Sequence, residues 1–155
     1  MSRLDDAVAE FLSLDKVAEQ KFRWSDKGHP DYSEAQSRLA VEQRGDFYGR
    51  LILTAHKSRN PHKYGFSIVF RTHRVLGLDV GPGHYHYNVT TLESISGTHW
   101  QRWPDIEAIL DERNLTHHQW LDEFLKEAHI RYEFPYKAPP FGEQIGFDYD
   151  ASDLA

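Results

Sequence analysis

Three runs in the middle of the chain constrain its fold more than any other feature. They are DFYGRLILTAHK (46–57), KYGFSIVFR (63–71) and RVLGLDV (74–80). Each is rich in β-branched and aromatic residues, the composition that suits a pleated, half-buried surface. In the second, Tyr64, Phe66, Ile68 and Phe70 fall on one face and Gly65, Ser67, Val69 and Arg71 on the other, the two-residue repeat of a strand. Only Lys57-Ser58-Arg59-Asn60-Pro61-His62 and Thr72-His73 separate the runs. Connections this short force antiparallel pairing, because parallel strands need long crossovers. The middle of the chain is therefore expected to be an antiparallel meander.

The alternation continues beyond Gly81-Pro82-Gly83, which ends the third strand. HYHYNVTTL places His84, His86 and Asn88 on one face and Tyr85, Tyr87 and Val89 on the other. Ser94 to Gly97 reads as a loop. Thr98-His99-Trp100 reads as a short strand or as the entry to a helical part.

Helical spacing governs the two flanks. Ser2 and Asp5 fit a capping box, followed by a stripe of Leu4, Ala7, Val8, Phe11 and Leu12. This predicts a helix to about Leu14, with Asp15 capping a second short helix through Lys21 or Phe22. Residues 24–33 read as a loop, and SRLAVEQ (37–43) as a short strand. Near the other end, Pro104 suits a first helical position, with a stripe of Ile106, Ile109 and Leu110 and a stop at Asn114. Thr116 and Gln119 form a second capping box ahead of Trp120, Leu121, Phe124, Leu125 and Ala128. These two segments predict an αα-hairpin. A DNA-reading helix-turn-helix is disfavoured, because Asp122, Glu123 and Glu127 would repel phosphates. Tyr132 to Phe134 can add an edge strand, and prolines and glycines rule out long regular elements after it.

The expected fold is a single α+β domain over 1–155. Its parts are an N-terminal helical part (1–33), an antiparallel sheet of about four to six strands (36–100), a helical hairpin on one sheet face (104–129), and an irregular acidic tail (135–155). The tail is expected to be disordered or to dock on a basic segment.

Charge defines that segment. The whole chain carries −6, yet residues 37–74 sum to +6. Such a block either offers a surface to phosphates and acidic partners, protein or nucleic acid, or pairs with the chain's own acidic helices. The chain has no cysteine, which excludes disulfides, thiolate nucleophiles and Cys-ligated metals. No apolar run approaches the roughly 18 residues of a membrane span. Asp5, Asp6 and Glu10 stand where a signal peptide would be basic and then apolar. The expectation is a cytoplasmic protein without membrane contact; the sequence leaves its oligomeric state open.

The chemistry concentrates at 78–104, where His84, His86 and His99 are the candidate catalytic residues. Arg71, Arg74, Asn88, Thr98 and Trp100 are the candidate binding residues. Three readings stand. The leading one is a His/Arg/aromatic sheet face that binds a macromolecular or phosphate-bearing partner, in the setting of bacterial or phage conflict. The alternative is metal-independent, RNase-like phosphodiester cleavage. There His86 and His99 are the acid–base pair, His84 assists, and Arg71 and Arg74 hold the phosphate. The third is a metal held by the His84-x-His86 pair with His99 or Asp79. No cofactor is expected. There is no phosphate-binding glycine loop, no HExxH and no GxSxG.

The LDV stretch, then His86-x-Asn88, then Gly97-Thr98-His99, resembles a pattern of small uncharacterised bacterial and mobile-element proteins. It covers about residues 64–104, and His86, Asn88, Thr98 and His99 carry it. The resemblance implies no activity.

Overall fold

The computed structural model describes residues 2–26, 30–58, 62–104 and 107–140. It opens with α1 (Arg3–Ser13), started by the reciprocal Ser2–Asp5 capping box. There follow β1 (Lys16–Ala18), β2 (Tyr32–Val41), β3 (Tyr48–His56), β4 (Tyr64–Phe70) and β5 (His73–Val80). A separate hairpin, β6 (Tyr85–Asn88) with β7 (Glu93–Ser96), comes next. The chain continues through β8 (His99–Arg102), β9 (Ile109–Leu110), α2 (His117–Glu127) and β10 (Ile130–Arg131).

The main sheet has eight strands in the order β10-β1-β2-β3-β4-β5-β8-β9. All its pairings are antiparallel except β1 with β10. Both helices lie on one face. Phe66 and Phe70 share a face of β4 by the two-residue repeat. Phe66 stacks on Phe124 of α2, and Phe70 stacks on Phe11 of α1 at 4.3 Å between ring centroids. The core behind that face takes Leu39, Leu51, Leu53, Ile68, Leu76 and Leu78 from the strands, all essentially inaccessible. Among the described residues no helix is long and apolar enough to cross a membrane.

Four expectations give way to long-range pairing. The sheet exceeds four to six strands, because short segments join its edges. The second short helix after Asp15 is replaced by β1. There the buried Lys16 ammonium donates to the carbonyls of Leu12 (3.2 Å), Leu14 (2.7 Å) and Ala128 (2.7 Å), binding the C-terminal ends of both helices. The 94–97 loop is largely strand: Ser94 to Ser96 belong to β7. Among the described residues no αα-hairpin forms: Ile109 and Leu110 pair with Trp100 and His99 as β9, with Asp105 and Ile106 outside the described residues. Their helical spacing never meets the core, since both side chains are exposed. Pairing instead anchors the segment, through Asp111 N–H to the Thr98 carbonyl and Trp100 Nε1–H to the Asp111 carboxylate, both 3.0 Å.

α2 forms where the second capping box predicts it. His117, in its first turn, is buried, and burial pushes its imidazole down to about 3, so it is neutral at pH 7. β2 starts at Tyr32, inside the expected 24–33 loop. The edge strand near Tyr132 sits earlier, at Ile130–Arg131. The acidic tail from residue 141, and with it the question of its docking, lies outside the described residues.

Candidate functional site

The face of the main sheet opposite the helices is polar. Register places Gly65, Ser67 and Val69 of β4 on it. They stand beside Gly77 and Asp79 of β5 and Arg50, Ile52 and Thr54 of β3. His99 and Gln101 of β8 continue it, opposite Asp79 and Gly77. The β6–β7 hairpin leans over the β5–β8 end of this face and brings its own histidines there.

Two glycines make room for the central ion pair. A Cβ at residue 65 would lie 2.9 Å from Asp79 Oδ1, and one at residue 77 would overlap the Arg74 guanidinium. Arg74 therefore lies flat on β5. It donates from Nε to Ser67 Oγ (2.8 Å), from Nη2 to Asp79 Oδ1 (3.0 Å) and from Nη1 to Gln101 Oε1 (3.1 Å). Strand glycines of this kind mark close approach, here of side chains.

His99 completes the pair from the other side and is only 2% exposed. Its Nε2 is 3.3 Å from Asp79 Oδ2, and its Nδ1 is 2.8 Å from the Gly97 carbonyl. Both neighbours accept only, which favours protons on both ring nitrogens, the imidazolium form. The hydrogen bond to Asp79 raises the His99 pKa against the opposing effect of burial. Burial alone would raise Asp79, but the bond from His99 and the charge of Arg74 outweigh it and hold the carboxyl at about 2.

His84 and His86 meet this trio from the hairpin, with ring centroids 6.3 Å and 6.2 Å from that of His99. Burial lowers the His84 pKa more than Asp79 raises it, so His84 is neutral at pH 7. Its ring is hydrogen-bonded to the Tyr64 backbone carbonyl. Its Nε2 is buried and has no partner. The bond is therefore from Nδ1–H, and Nε2 presents a lone pair. The opposite holds at His86. The Gln101 amide, oriented by Arg74 at its oxygen, donates from Nε2 to His86 Nδ1 (3.1 Å). The neutral His86 ring then carries its proton on Nε2, which is also buried and without a partner. One hairpin thus presents an unsatisfied acceptor and an unsatisfied donor. Each such group costs about 1–3 kcal/mol of desolvation.

Other candidate residues lie elsewhere. Asn88 points inward like His86, but its amide is spent on both backbone groups of Ala108. Thr98 Oγ1 accepts from Gly81 N–H. Trp100 lies on the helix side of β8, stacked on Phe124. Arg71 sits in the β4–β5 turn over Phe70, at the other end of β5 and roughly 20 Å along the strand from Asp79. Reasoning from the sequence missed Ser67 and Gln101 and treated Asp79 only as a metal ligand. The available signal was Gly65 and Gly77, isolated glycines inside strand patterns. Among the described residues, no group of three His, Asp or Glu side chains converges as a metal site.

Among the described residues, four of the eight cations in the basic segment pair with the chain's own carboxylates. Arg38 pairs with Glu19, Arg44 with Glu10 and Asp46, Lys57 with Asp26, and Arg74 with Asp79. Comparison with protein families, curated proteins and solved structures finds no match.

Proposed function

We propose that this chain binds a phosphate-bearing partner, a ribonucleotide chain above others, between the β6–β7 hairpin and the β5–β8 face. One observation carries this reading: the Nε2 atoms of His84 and His86 are buried, unpartnered and complementary, one accepting and one donating. Native structures rarely leave buried polar groups unpaired, and those they do leave call for an explanation. A ribose 2′-hydroxyl beside a 3′-phosphate matches them, with the hydroxyl donating to His84 and a phosphate oxygen accepting from His86. Arg74 and His99 against the single charge of Asp79 leave a positive surplus for the phosphate. Both Nε2 atoms are out of water's reach, so the partner displaces the hairpin edge. The left-handed glycines Gly81 and Gly83 before it, and Gly97 after it, permit that motion.

The same tautomers favour binding over the other two readings. His84 can accept a proton from a 2′-hydroxyl. A neutral His86 whose Nδ1 accepts from Gln101 keeps only its Nε2 proton, which a neutral imidazole donates in a hydrogen bond but does not release to a leaving group, and the protons of His99 point at Gly97 and Asp79. A metal at the histidine pair would need a lone pair where His86 carries its proton. The test is calorimetric titration with uridine 3′-monophosphate. Wild type is expected to bind, with at least a tenfold loss in His86→Phe and in His84→Leu and weaker binding of the 2′-deoxy analogue. Absence of binding to wild type, or equal binding by both variants, would end this reading.

A further inference from the structure

We propose that the open sheet face beyond the histidine site is a track for single-stranded RNA, formed by Arg50, Arg38 and Tyr48. The inference rests on the reading above and extends it from one nucleotide to a chain. Register puts Arg38 directly opposite Arg50, and Arg50 opposite Val69, which in turn faces Arg74. Two arginines therefore stand side by side on adjacent strands, an arrangement that repels unless an anion is shared. Arg50 is exposed and has no ion pair among the described residues. Among the described residues Arg38 has one ion pair, with the half-exposed Glu19 at 3.2 Å, a contact that solvent weakens.

The aromatic part of the track is Tyr48, 59% exposed, with the Arg38 guanidinium 4.9 Å from its ring centroid. A surface depression of about 250 Å³ is lined by Gln20, Gln36, Arg38, Tyr48, Gly49 and Arg50. A ring and a guanidinium at the edge of a shallow depression suit an unstacked base, the form in which single strands are recognised. Position links the two places. On β3, Arg50 stands four residues from Thr54, which faces Gly65 and the Asp79 carboxylate beside the histidines. That is roughly 13 Å along one strand, a distance a few nucleotides span. A duplex has its bases stacked inside and would use neither Tyr48 nor the depression.

The experiment compares a fluorescent ten-residue oligouridylate with uridine 3′-monophosphate over a range of salt. The proteins are wild type, Arg38→Gln/Arg50→Gln, and Tyr48→Ser, each checked for an unchanged melting temperature. The expected result is about a tenfold weaker oligouridylate complex in the double variant. Its log–log salt slope should fall by about 1.4, the release from two single-strand phosphates. The mononucleotide should bind as in wild type, and Tyr48→Ser should weaken the oligomer alone. Unchanged oligomer affinity and slope in the double variant overturn the track while leaving the histidine site standing. Wild type that binds polyglutamate, and the mononucleotide, but no oligouridylate overturns it in favour of an acidic protein partner. Failure of the mononucleotide as well removes the site and the track together.

Discussion

Two buried polar centres in this chain are built on opposite terms. Lys16, beneath the helices, points its ammonium at three carbonyls contributed by the ends of α1 and α2. Burial lowers its pKa to about 8, so it is charged at pH 7 and its donors are all used. On the other side of the sheet, His84 and His86 each hold one ring nitrogen by a protein partner and leave the other buried with none. Satisfied polar groups hold a structure together, and unsatisfied ones are kept against a cost. The first centre reads as architecture and the second as a place kept for a ligand.

The largest effect separating them is expected at Lys16. Lys16→Met should lower stability by about 3 kcal/mol, since it leaves buried carbonyls at two helix ends without donors; denaturant unfolding measures it. A loss under about 1 kcal/mol would erase the contrast from the Lys16 side. Acid comes next. Asp79 is depressed to about 2, so its ion pairs contribute fully above the unfolded value near 3.8 and are lost as pH falls through 2. About 2 kcal/mol should disappear over that window in wild type and not in Asp79→Asn. His99 runs the other way: its pKa is raised, so its contribution is complete below about 6.5 and fades as pH rises through the folded value. The smallest effect belongs to the hairpin. His84→Leu and His86→Phe each remove an unsatisfied nitrogen along with one satisfied bond. Stability should stay within about 1 kcal/mol of wild type. A loss as large as that of Lys16→Met would make the histidines structural.

Where the sequence was legible, local chemistry decided the outcome. The capping boxes at Ser2 and Thr116 and the alternation of residues 64–70 each lie within one element, and each element formed. Several of the misread parts are two- or three-residue strands that exist only through pairing with other segments. Val17 pairs with Ala40 and Arg131, and Ile109 with Trp100. The site divides in the same way. Alternation alone turned His86 and Asn88 inward and left Tyr85 and Tyr87 exposed. Whether an inward residue meets a free partner was not legible. Asn88 found Ala108 twenty residues on, Trp100 turned to the helices, and Arg74 was taken up by Ser67, Asp79 and Gln101.

The most direct test of a site kept for a ligand is a long-range proton–nitrogen correlation spectrum of the histidine rings at pH 7, with and without uridine 3′-monophosphate. The predicted pattern is a proton on Nδ1 only for His84, on Nε2 only for His86, and on both nitrogens for His99. On titration the His84 and His86 Nε2 signals should move, while those of His117 stay in place. A His86 ring protonated on Nδ1, or Nε2 signals at His84 and His86 that ignore the ligand, would contradict it.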